Sequence, residues 1–101
     1  MLSKLNAVAD KYRELEALLS DPDVMADMEK WQRYTREHAA LTPIIEAYTA
    51  YQRALATIDE DKEMLAEADA EMKEMLTEEI AEAEAERDAL AEQLPILLLP
   101  R

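Results

Sequence analysis

The stretch Leu5–Val24, LNAVADKYRELEALLSDPDV, carries two messages about the fold. Leu5, Val8, Tyr12, Leu15 and Leu19 recur at alternating intervals of three and four residues, which puts all five on one seam of a helix. Ser20-Asp21-Pro22-Asp23 then interrupts the rhythm. Asp21 is suited to cap a following helix, Pro22 to occupy its first turn, and Asp23 to sit at the positive end of its dipole. The reading is therefore a helix that stops and a second that starts at once.

Working outward, Val24, Met28, Trp31, Tyr34, His38 and Leu41 mark one broad apolar face on the next segment. Thr42-Pro43 has the wording of another cap and first-turn proline, although a proline inside a helix can equally kink it. Ile44, Tyr48, Tyr51, Leu55, Ile58 and Leu65 resume the heptad stripe, interrupted only by Lys62. After the polar run Ala66–Glu71, with Asp69 as a cap, a last segment presents Met72, Leu76, Ile80, Ala83, Leu90 and Leu94. Arg87 fills the missing seam position, where its stem packs and its charge reaches water. Pro95 restricts the residue before it, so this helix is expected to end near Gln93 or Leu94. The expected helices are 2–19, 22–41, 43–66 and 69–94. Short connections favour antiparallel neighbours, so the fold class is all-α: an antiparallel, coiled-coil-like helical bundle of three to four helices.

Composition agrees. The 101 residues suffice for a single domain, 1–101, with a modest core. There is no glycine, so the usual residue for hairpin turns, phosphate-cradling loops and helix ends is missing. Ala, Glu, Leu, Met, Lys and Arg, all good helix formers, dominate. Cysteine is absent, so there is no disulfide framework, and neither a signal-peptide pattern nor a bilayer-length apolar run is present. A soluble cytoplasmic chain without a membrane partner is expected.

The net charge of −13 is unevenly spread. Residues 1–53 hold seven Lys/Arg against nine Asp/Glu, whereas residues 54–101 hold four against fifteen. The second half is thus a poor surface for phosphate. Its acidic ladders, Glu74-Glu78-Glu82-Glu86 and Glu84-Asp88-Glu92, read first as a solvated face and second as a docking face for a basic protein. In the first half, Lys30, Arg33 and Arg36 form a basic strip beside Trp31 and Tyr34, the candidate partner contacts of the chain. The strip is balanced by Glu29 and Glu37.

No catalytic constellation is present. His38, the single histidine, has no cysteine or second histidine for a zinc site and no orienting partner for general-base work, so it reads as a packed or boundary side chain. The methionines read as gap-filling core. No catalytic, cofactor-binding or metal-binding residue, no cofactor and no small-molecule substrate is assigned.

Local wording goes further than periodicity. Leu15–Val24 resembles the first helix and turn of the bacterial class I peptide chain release factors. Arg33-Tyr34-Thr35-Arg36-Glu37-His38-Ala39-Ala40-Leu41 is similar to that family's next helix, and Leu97-Leu98-Leu99-Pro100 to the apolar tail preceding its second domain. That tail points to the branch reading UAA and UAG; Pro95 departs from the family pattern and blurs the end of the last helix. The resemblance covers the whole chain in order. It implies the N-terminal domain of a longer factor, with the apolar tail 96–101 leading into a further domain. It also implies that stop-codon reading and the Gly-Gly-Gln loop for peptidyl-tRNA hydrolysis lie downstream, so that no functional residue of the family maps onto this chain. The domain's implied role is to position the factor at the stalk base of the large ribosomal subunit, protein and rRNA, and to take part in the interplay with the GTPase release factor. The competing reading is a free-standing antiparallel coiled-coil adaptor that self-associates or binds a helical partner, as apolar heptad seams permit.

Overall fold

Aspartates set every helix start after the first in this glycine-free chain. The computed structural model describes residues 1–100 and contains four helices: α1 (Leu2–Leu19), α2 (Pro22–Met25), α3 (Met28–Leu65) and α4 (Ala70–Leu97). Asp21 caps α2, its carboxylate accepting from the Asp23 N–H at 2.9 Å, with Pro22 at the first helical position. Asp27 accepts from the Lys30 N–H at 3.2 Å at the start of α3. Asp69 accepts from the Met72 N–H at 2.8 Å at the start of α4. In each case a side-chain oxygen satisfies a backbone donor that the first turn leaves orphaned. No described residue adopts a positive φ, so the turns are built without the conformation that favours glycine.

Two expected helices are redrawn. The segment expected over 22–41 is a single turn, α2, followed by a fresh start at Asp27; the restart turns Met28 outward while Val24 stays buried. Thr42-Pro43 is neither cap nor turn, because α3 runs through Pro43 without a break. The Thr42 hydroxyl bonds back to the His38 carbonyl at 3.0 Å, the i−4 pattern that lets threonine sit inside a helix. A second proline, Pro95, lies inside α4, which continues to Leu97 rather than stopping at 93–94. Its ring withholds the N–H that would bond the Ala91 carbonyl, two residues before the helix ends. Of the apolar tail, Ile96 and Leu99 are exposed; Arg101 lies outside the described residues.

The chain divides into two compact units: Met1–Glu46 with the chain from Leu97 onward, and Ala47–Ile96. In the first, α1 runs antiparallel to the early part of α3. Leu5, Leu15, Val24 and Ile44 are its buried apolar residues. Tyr12 lies over His38, ring centroids 4.1 Å apart, and shares a 3.0 Å hydrogen bond with the Thr42 hydroxyl. In the second unit, the later part of α3 and α4 form an antiparallel helical hairpin. Tyr48, Ala54, Ile58, Leu76, Ile80, Ala83 and Leu94 are buried there. The seam on α3 passes through Ala54 and Asp61, one residue earlier than the expected Leu55 and Lys62. The methionines, expected as gap-filling core, are all six exposed, Met72 and Met75 on α4 among them. No described helix is long and apolar enough to cross a membrane.

Candidate functional site

Lys30, Arg33 and Arg36 all lie exposed on the first turns of α3. At 100° per residue, steps of three turn the strip by about 60° each, so Lys30 and Arg36 stand about 120° apart around the helix. The three make a slanting strip rather than a single cluster. Asp27 fixes its beginning, since the same carboxylate that starts the helix receives the Lys30 N–H.

Arg33 is the member held by a neighbouring side chain. Its guanidinium carbon lies 5.0 Å from the centroid of the Tyr34 ring, and Nη2 donates to the Tyr34 hydroxyl at 3.4 Å. That hydrogen bond, followed by the smaller pulls of Glu37 and Asp27, raises the Arg33 pKa above its already high value. The guanidinium thus stays charged and is held against an aromatic face while remaining open to solvent. Among the described residues, none of Lys30, Arg33 and Arg36 forms an ion pair. Trp31 and Tyr34, half-buried, anchor the same turns toward the interior. Such an arrangement offers positive charge to a phosphate or carboxylate surface; it holds no nucleophile and no acid–base pair.

His38 occupies the boundary position expected of it. Its side chain is 26% exposed, and Nε2 lies 3.6 Å from a Glu16 carboxylate oxygen without a hydrogen-bond partner. No group of three or more His, Cys, Asp or Glu side chains among the described residues converges in a way that would hold a metal ion. Arg87 is half-buried on its seam and donates to Asp88 at 3.0 Å, so its charge is turned outward as expected.

Sequence reasoning passed over one polar residue of the interior. Asp61 is 5% exposed and is the buried charged residue of the core. The signal lay in the seam itself: Ala54, Ile58, Asp61 and Leu65 continue the intervals of four, three and four, so position 61 faces inward rather than position 62.

Comparison with known proteins places this architecture. The PCRF domain matches residues 8–101. Over its full length the chain is 42% identical to peptide chain release factor 1 of Finegoldia magna, of which it covers 29%. It is 44% identical to peptide chain release factor 1 of Clostridium botulinum strain Hall, covering 28% of it. With peptide chain release factor 1 of Clostridioides difficile the identity is 43% and the share covered 29%. The chain thus spans less than a third of the length of the curated relatives it matches. With helices, caps and seams accounted for and the match running from Val8 to the end of the chain, the chain belongs to the PCRF domain family.

Proposed function

We propose that this chain is the N-terminal helical domain of a cytoplasmic peptide chain release factor and serves translation termination by positioning that factor on the ribosome. The observation that carries the reading is the similarity along the entire chain to a minor share of release factors several times longer. Stop-codon reading and peptidyl-tRNA hydrolysis then belong to the remainder of the protein, and the contribution of 1–101 is placement rather than chemistry. The all-helical build supports it: each compact unit packs its helices antiparallel, and the helices after the first begin at aspartate caps.

The basic strip Lys30, Arg33 and Arg36 is the surface we assign to the large-subunit stalk base, where ribosomal RNA and protein meet. Three cations without ion-pair partners offer positive charge to phosphate along the first turns of α3. Contacts of this kind release counterions, so affinity falls as salt rises.

The test uses the full-length factor carrying K30E/R33E/R36E. Ribosome affinity is measured across a salt series alongside the parent. The proposal predicts weaker binding and a shallower dependence of affinity on salt. Unchanged affinity and slope would remove the strip from the ribosome contact.

A further inference from the structure

We propose that the methionines of this chain are reversible oxidation sites: hydrogen peroxide converts them to sulfoxide on the folded protein, and both helical units survive the change. This chemistry does not depend on the ribosomal reading.

All the sulfur of the chain lies outside its core. The six methionines range from 41% exposed at Met72 to 68% at Met28, and there is no cysteine. Met25 closes α2 and Met28 opens α3, one on each side of Asp27. Met64 stands in the last turn of α3, and Met72 and Met75 in the first two turns of α4. Met72 and Met75 line, with Asp69 and Glu71, an open hollow of about 270 Å³. A small oxidant has ample room there, since a water molecule takes about 30 Å³ of liquid.

This placement runs against the habit of the residue. Methionine is among the side chains most often fully buried, and it usually fills gaps in a core. Here Leu5, Leu15, Ile58, Ile80 and Leu94 are in the interior instead. With no thiolate to compete for oxidant, the thioethers are the only sulfur nucleophiles that the chain presents.

The step is a two-electron oxidation. A sulfur lone pair attacks one oxygen of the peroxide, the O–O bond breaks and an S–O bond forms. The departing oxygen carries off the proton of the transferred hydroxyl and leaves as water. Methionine is thereby oxidised to sulfoxide, and the peroxide is reduced. In a packed interior the new polar group would disrupt the core, whereas at exposed positions it is hydrated and displaces nothing. Sulfoxide reductases, one for each epimer, return the thioether.

The experiment treats the 101-residue chain with hydrogen peroxide, stops samples with catalase and maps sulfoxide by peptide mass spectrometry. L15M serves as the internal control, because Leu15 has no exposed surface. The exchange nearly conserves volume, and circular dichroism verifies that the variant folds. Each native methionine is expected to oxidise in the folded chain within about tenfold of its rate in urea, Met28 faster than Met72. The added methionine of L15M is expected to lag by more than about tenfold. The fully oxidised parent should keep its helical content, and the two reductases with a thiol should return its original mass. A native methionine protected beyond that factor, an L15M site as reactive as the others, loss of helix on oxidation, or sulfoxide that resists both reductases would overturn the proposal.

Discussion

Tyr12 of α1 stacks on His38 of α3 with 18° between the ring planes, and its hydroxyl meets that of Thr42 one helical turn further on. The Thr42 hydroxyl in turn donates to the His38 carbonyl, so one polar chain ties both helices together at a half-buried seam. This junction combines face-to-face ring contact with hydrogen bonding, and the two contributions can be separated. Y12F keeps the ring and loses the bond to Thr42, for an expected loss of about 1 kcal/mol. Y12A removes the ring as well and is expected to cost about 2–3 kcal/mol. Urea denaturation of both variants measures the difference; equal losses would mean that the hydroxyl carries the whole junction.

Glu79 makes the stability of the hairpin depend on pH in a defined direction. Its hydrogen bond with Asp61 raises its pKa in the folded chain above the ordinary 4.5. The folded state therefore holds this proton more tightly than the unfolded chain does. The corresponding stability is fully present below pH 4.5 and is lost as pH rises through the higher folded-state value. Because the whole chain is acidic, other carboxylates also respond to pH, so the informative quantity is the difference between parent and E79Q. The parent is expected to gain more stability than E79Q on acidification from neutral pH. Parallel profiles in thermal denaturation would show that the pair does not share a proton.

Pro43 is exposed and sits inside an unbroken helix, where it withholds an N–H from the carbonyl of Ala39. P43A restores that hydrogen bond and removes the ring's clash with the preceding turn. A gain of about 1–3 kcal/mol is expected, less whatever proline saved by stiffening the unfolded chain. A rise in melting temperature with helical content maintained is the expected result, and a fall would show that the proline geometry is built into the packing.

The caps are open to an equally direct test. D69A leaves the Met72 N–H without its acceptor at the start of α4 and is expected to cost about 1 kcal/mol. D69N keeps an acceptor at the same place and should recover most of that loss. Amide hydrogen exchange at Met72 reports on the bond itself.

What could be read beforehand divides along the range of the interaction that decides it. Asp21 and Asp69 were legible as caps because capping involves a side chain and a backbone group a few residues away. Thr42-Pro43 was not, since the same pair of residues serves either as cap and first turn or as a threonine bonded back to position 38 within a continuing helix. Only α1 packing against that turn, through Tyr12, distinguishes the two. The stripe on α3 was misjudged at two positions for the same reason, while Ile44, Tyr48 and Ile58 are buried as expected. Leu55 and Lys62 are the larger side chains, but the hairpin buries Ala54 and Asp61 instead. Apolar size favoured the wrong column, and the buried carboxylate could not be anticipated without its partner on α4. Lys30, Arg33 and Arg36, read as one strip, are each exposed on α3, but the helical step spreads them over about 120° of its surface.

The central claim, that this chain is the positioning domain of a release factor, is tested most directly by exchange. The segment of Clostridioides difficile peptide chain release factor 1 that aligns with it is replaced by residues 1–101. Peptide release is then timed on ribosomes halted at a stop codon, beside the parent factor and one lacking the segment. The exchanged factor is expected to release peptide at close to the parent's rate, and the shortened factor more slowly. An exchanged factor no faster than the shortened one would contradict it.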